Sequence, residues 1–483
     1  MTDIKFPTET RKVATSLIDR TLRNLRDAWR DISTTARGAI GAAGSVAPAL
    51  PDSDLDELRR QINDCLEARG GEVSARARAA ALGRLYLGLN AEGRKRFLKL
   101  IAEEFDVDHG AVQAAAAALL AAKDDRARAK AERELRAALQ APRVRLLTQF
   151  NELPDGVKFL VDMRAEIMRL AREDRRLAGL EADLKALLIG WFDVGFLELK
   201  RITWDSPAAL LEKLSVYEAV HQVRSWVDLK NRLDSDRRCF AFFHPRMPSE
   251  PLIFVEVALV TGMAGNIQAL LDEKAPVGDP RNADTAIFYS ISNAQKGLAG
   301  VSFGGFLIKR VADQLATEFP RLKTFATLSP IPGFRAWLDQ QFAEGVPGVL
   351  DKSDRKALAT ALGDNNVSKG VMKQVLADNA WLKDSTLTAA LEVPLLRLAA
   401  RYLVQAKRED GKALDPVANF HLSNGARVER LNWLADTSKK GLQQSAGLMV
   451  NYEYRLDDVE ANHEAYEGEG RIVTSSAAAK LLK

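Results

Sequence analysis

Through roughly the first 190 residues, apolar side chains recur at three- and four-residue spacing. Leu55, Leu58, Ile62 and Leu66 show it, as do Phe97, Leu98, Leu100 and Ile101. That period stacks them on one helix face. Val112–Leu139 is dominated by Ala, Leu, Arg, Glu and Lys, which lose little side-chain freedom in a helix, so it also reads as helical. Opposite charges interleave along these segments, which predicts a solvated face rather than a nucleic-acid surface. Gly38–Pro51 is rich in Gly, Ala, Pro and Ser and reads as a linker.

Near Asp193 the pattern changes. Cys239–Phe243 and Leu252–Val260 are aromatic and β-branched, and the prolines between them, Pro245, Pro248 and Pro251, predict a hairpin with a stiff connection. Thr285–Ile291 and Lys323–Leu328 read as strands, with a helix over Phe306–Phe319 between them. Trp337 to about Arg408 reads as a helical insertion, and Gly447–Arg455 as a late strand. The fold class expected is an α+β multidomain protein. An all-α bundle over 1–190, which also mediates self-association, precedes an α/β domain over 191–483 carrying the insertion at about 337–408.

Bulk numbers narrow the function. The 483 residues carry 69 basic and 65 acidic groups, a formal charge of +4, which gives no case for bulk nucleic-acid binding. Two cysteines, Cys65 and Cys239, are too few for a disulfide framework and fit a reducing compartment. No apolar run reaches the ~18 residues of a membrane span. The first 37 residues lack an apolar signal core and carry Asp19, Asp27 and Asp31, so cytoplasmic residence is expected.

Two segments carry candidate chemistry. After the strand Ile287–Ser292 come Gly297, Ala299, Gly300, Val301, Ser302, Phe303, Gly304 and Gly305, then a helix. A strand, a glycine-rich turn and a helix start expose N–H groups and favour an anion. The spacing fits neither a Walker loop nor a dinucleotide fingerprint. It resembles the acyl-CoA pyrophosphate loop of GNAT-type acetyltransferases, Arg/Gln-x-x-Gly-x-Gly/Ala. Gly297 and Ala299 take the last two places, while Ala294 replaces the Arg or Gln. The second feature is a serine and a histidine in stiff, non-helical surroundings: Ser329 in Leu328–Phe334, held by Pro330 and Pro332, and His421 in Asn419–Ala426. His109, His221, His244, His421 and His463 are scattered, so no metal site is expected.

Taken together, Tyr289–Ser292, Gln295–Val301, Phe306–Arg310, Leu328–Phe334, Asn419–Gly425, Asn432–Asp436 and Gly447–Met449 resemble the malonyl-CoA decarboxylase family over about residues 150–460. The resemblance implies a helical oligomerisation domain forming a homodimer or homotetramer, and a GNAT-like catalytic domain. It implies conversion of malonyl-CoA to acetyl-CoA and CO2. The thioester carbonyl would serve as electron sink, so no organic cofactor or metal is called for. The family's catalytic serine and histidine correspond to Ser329 and His421. Tyr454 is a candidate partner near the reacting carboxylate, and Ala299–Gly305 would bind the coenzyme. Some relatives carry an acid at the position of Ser302, a charge absent here. The alternatives are a GNAT-type acyltransferase and a non-catalytic CoA-binding scaffold. Elsewhere, His221 is expected in a packed helix and His244 at a strand end. Arg237 and Arg238 are expected as a solvated pair, and Trp204, Trp226 and Trp433 as core anchors.

Overall fold

A computed structural model of the chain describes residues 25–30, 32, 46–67, 71–301, 307–346, 348–364 and 370–483. Most of the Gly38–Pro51 linker, and Ser302, Phe303, Gly304 and Gly305 of the loop, lie outside the described residues.

The N-terminal part is helical. Its core helices bury apolar stripes at the spacing read above: Leu58, Ile62 and Cys65 in Asp52–Leu66, and Phe97, Leu98 and Ile101 in Ala91–Glu104. The Val112–Leu139 stretch is interrupted: helices His109–Ala121 and Asp125–Ala138 are separated by a break at which the Asp124 carboxylate accepts from the Ala127 N–H. A side-chain cap of this kind starts a new helix. Helix Gly156–Leu170 is buried on most of its surface, including Arg164. It leads through Ala178–Trp191 into the sheet.

Among the described residues the sheet has eight strands: β1 (Glu198–Ile202), β2 (Arg237–Phe243), β3 (Ile253–Val260), β4 (Thr285–Asn293), β5 (Thr324–Thr327), β6 (Ser329–Pro330), β7 (Arg427–Asn432) and β8 (Met449–Glu453). Their order is β1-β2-β3-β4-β5-β8-β6, with β7 on β8. Pairing is antiparallel except between β4 and β5, which are joined by a crossover containing helix Leu307–Glu318. A parallel pair requires such a crossover. The β4–β5 ladder ends at Phe288–Thr327, although β4 runs on to Asn293 against β3. The sheet therefore opens beyond Phe288, and the segment carrying Ser329 swings across to β8, pairing Ser329 with Val450.

Among the described residues between Phe334 and Val404 the elements are all helical: Phe334–Ala343, Lys352–Leu362, Val371–Val375, Ala380–Lys383 and Ser385–Val404. His244 sits just past β2, at the strand end. Other readings need correction. Arg237 and Arg238 are buried, not solvated; Arg238 meets Glu318 at 2.6 Å and lies over the Phe319 ring. Burial of two guanidiniums is tolerated because carboxylates and carbonyls surround them. Trp204 is 41% exposed, and its contact is an edge-on one with half-buried Trp226. Trp433 is also half-buried, stacked on Trp381. His221 follows the helix Ala208–Tyr217 rather than lying in it, because Glu218 bends back to accept from the N–H groups of Val220 and His221. Both cysteines are free and buried, and burial pushes the Cys65 thiol up to about 12. Among the described residues no helix is long and apolar enough to cross a membrane.

Candidate active site

Ser329 and His421 meet. Ser329 Oγ and His421 Nε2 are 3.1 Å apart, and His421 Nδ1 is 2.7 Å from the Tyr454 hydroxyl. All three residues are buried. Their placement follows from local rules. Side chains two apart on an extended strand share a face, so Thr327 and Ser329 lie together and the Ser329 hydroxyl donates to Thr327 Oγ1 at 2.8 Å. Thr327 Oγ1 also accepts from the Tyr452 N–H. Tyr452 and Tyr454 likewise share a face, and both rings reach the imidazole. Tyr452 stacks on it at 4.6 Å between centroids, and Tyr454 meets it edge-on.

His421 is helical, contrary to the expected turn. It occupies the last part of a short helix, Pro416–Ser423. Asp415 caps that helix by accepting from the N–H groups of Val417 and Ala418, and Pro416 takes the first helical position. Asp followed by Pro is a helix-start signal. Asp415 is fully buried, and burial raises its carboxyl. Its second oxygen accepts weakly from the Gly333 N–H at 3.4 Å. One carboxyl group thus ties the serine segment to the histidine helix. Gly425 ends the element with φ +80; a Cβ there would lie 2.1 Å from the Val459 carbonyl oxygen.

Burial pushes the His421 imidazole down to about 3 and the Tyr454 and Tyr452 phenols well above their ordinary range. Near neutrality the ring is uncharged and carries one proton. With the serine proton directed at Thr327, the serine oxygen accepts from Nε2–H and Nδ1 accepts from the tyrosine O–H. The network assigns this tautomer. The result is a run of donors and acceptors from Tyr454 through His421 and Ser329 to Thr327.

A cavity of about 1110 Å³ opens over the pair. Its walls include Ser329, Pro330, Phe420 and His421, Phe288, Tyr289 and Ile291 of the open strand, and Leu298, Ala299, Gly300 and Val301 of the loop. His463 and Glu467, from helix Val459–Glu469, also face it. No motif marked either one. The loop is clamped from behind by the helical region. Arg164 donates to the carbonyls of Gly297 at 2.6 Å and Ala299 at 2.9 Å, and its other side is held by Glu181. Gly297 is required there, since a Cβ would lie 1.7 Å from the Val161 carbonyl oxygen. Gln295 turns away and donates to the Pro251 carbonyl.

Residues 195–483 match the malonyl-CoA decarboxylase C-terminal domain, and residues 105–192 match the corresponding N-terminal domain. The chain belongs to the malonyl-CoA decarboxylase family. The mitochondrial malonyl-CoA decarboxylase of Anser anser anser is 40% identical over 83% of this chain and 82% of its own length. That of Mus musculus is 40% identical over 90% and 89%. The crystal structure of malonyl-CoA decarboxylase from Rhodopseudomonas palustris superposes with TM-score 0.80 at 42% identity, over 88% of this chain and 99% of that one. The Agrobacterium vitis enzyme gives TM-score 0.79 at 40% identity, over 88% of this chain and all of that one. These neighbours share the helical region followed by a mixed sheet domain. The expectation of cytoplasmic residence is overturned: the curated relatives are mitochondrial decarboxylases, so acidic residues near the N-terminus do not assign a compartment.

Proposed function

We propose that the chain converts malonyl-CoA to acetyl-CoA and CO2, using its own side chains and the substrate's thioester. The observation that carries the reading is the buried Tyr454–His421–Ser329 run, opening into a cavity walled on another side by the Gly297–Val301 loop. Cleavage of the C2–carboxylate bond leaves its electron pair delocalised onto the thioester oxygen. A proton must then reach C2. The Ser329 hydroxyl is too weak an acid to supply it alone. The neighbouring Nε2–H replaces the serine proton as it leaves, and the Tyr454 O–H proton passes to Nδ1, so the ring stays neutral and the phenol carries the charge. Solvent restores the proton, so each turnover consumes one. Burial favours CO2 loss by removing water from the carboxylate.

The supporting roles follow. Ala299, Gly300 and Val301, with Ser302–Gly305 beyond the described residues, bind the coenzyme phosphates. The boundary near residue 190 separates a helical domain from a GNAT-like catalytic one, whose opened β4–β5 pair admits the acyl arm. Self-association runs through the helical part: helix His109–Ala121 buries none of its side chains and Leu120 is 89% exposed. Incubation with malonyl-CoA alone tests the proposal. Acetyl-CoA and CO2 in equal amounts support it. An untouched thioester contradicts it, and acyl transfer only on addition of an amine would favour the acyltransferase alternative.

A further inference from the structure

We infer that Lys185, a residue of the helical region, belongs to the coenzyme site and takes a phosphate of the CoA moiety. The inference rests on the thioester reading above and extends it across the domain boundary. Gly300 has φ +72 and lines the cavity that reaches Ser329 and His421. A Cβ built on Gly300 would lie 3.2 Å from Lys185 Nζ and 3.4 Å from its Cε. The ammonium therefore sits directly against the loop backbone, where a side chain at position 300 would displace it.

The helix bearing this lysine is held in place. Ala178–Trp191 buries Leu180, Leu184 and Leu188, and Glu181, one turn before Lys185, holds Arg164 against the loop carbonyls. Arg164 draws the Ala299 carbonyl oxygen toward the helices. In a trans peptide the N–H points opposite to the C=O, so the Gly300 N–H is turned away from Arg164. It has no backbone acceptor among the described residues. The Lys185 ammonium has no carboxylate partner among the described residues either. A cation and an N–H that lack such partners among the described residues, beside a glycine that permits close approach, suit a phosphate. Lysine supplies a point charge there rather than a planar fork.

The test compares malonyl-CoA with malonyl-pantetheine, which keeps the reacting end and arm but lacks the phosphates. Lys185→Ala is expected to lower kcat/KM for malonyl-CoA about tenfold, through KM, as loss of one charge-assisted contact implies. Lys185→Glu is expected to lower it further and Lys185→Arg to restore most of it. The preference for malonyl-CoA over malonyl-pantetheine should fall by the same factor. Equal losses on both substrates, or none on either, overturn the inference. Calorimetry with CoA and pantetheine keeps this separate from the reaction. Weaker CoA binding by Lys185→Ala, with pantetheine unaffected, supports the site even in a protein that releases no acetyl-CoA. Unchanged CoA affinity overturns it even in an active decarboxylase.

Discussion

Tyr454→Phe removes one oxygen from the centre of the site and little else. The ring stays packed against Phe288 and the imidazole. What is lost is the 2.7 Å hydrogen bond to His421 Nδ1. His421 is 3% exposed, so no solvent takes the tyrosine's place. Leaving a buried acceptor unpaired costs about 1–3 kcal/mol of stability. The variant should therefore unfold at lower denaturant, with its m-value unchanged. Activity should fall for a separate reason. Without the phenol, the ring loses the contact that fixes its tautomer and its aim at Ser329. Positioned acid–base groups contribute about 10²–10⁴-fold. Because the ring itself remains, a loss near the low end, about 10²-fold in kcat, is expected, with KM little changed. Turnover is followed as acetyl-CoA released from malonyl-CoA, and stability by denaturant titration. A kcat within about twofold of the parent would refute the reasoning, whatever the stability change, since Tyr454 would then only fill space.

Two further outcomes follow from the same structure. The His421 imidazole is depressed to about 3 in the fold, while in the unfolded chain it returns to about 6.5. The unfolded state thus binds the extra proton between those values. Stability is unaffected above about 6.5 and falls as the pH drops toward 3, by about 2 kcal/mol at pH 5. His421→Gln should lose about that much less than the parent between pH 7.5 and pH 5 in denaturant titrations; equal losses would mean that the folded ring takes up its proton. Gly297→Ala places a Cβ 1.7 Å from the Val161 carbonyl oxygen, backbone that cannot step aside without moving a helix. It should cost about 1–3 kcal/mol and raise KM for malonyl-CoA, and a parent-like KM would show that the loop does not need that packing.

Much of the frame was legible in the sequence because its signals are local. Apolar spacing gave the core helices, and the β-branched runs gave β2 to β5. Pro330 and Pro332 marked Ser329 as a strand-end residue, and it sits in β6 against β8. His421 was read as a turn residue because Asn419, Asn424 and Gly425 are turn formers. The deciding signal lay upstream, in Asp415-Pro416, and overrode them. The contacts that finish the site join distant parts of the chain and leave no local trace. Arg164 reaches Gly297 across 133 residues, and His463 lines the cavity from a helix that periodicity alone does not connect to it. Buried Arg238 and exposed Trp204 reverse their usual positions for the same reason: partners elsewhere in the fold, Glu318 for one, decide burial.

In the proposed mechanism Ser329 and His421 act as one unit on C2 of the substrate. A double-mutant cycle on kcat tests it most directly, with Ser329→Ala, His421→Ala and the double variant assayed on malonyl-CoA. Groups that pass one proton between them give losses that do not multiply. Each single variant is expected to lose about 10²-fold or more, and the double variant to be no slower than the slower single one. Losses that multiply, or a single variant turning over at the parent rate, would contradict it.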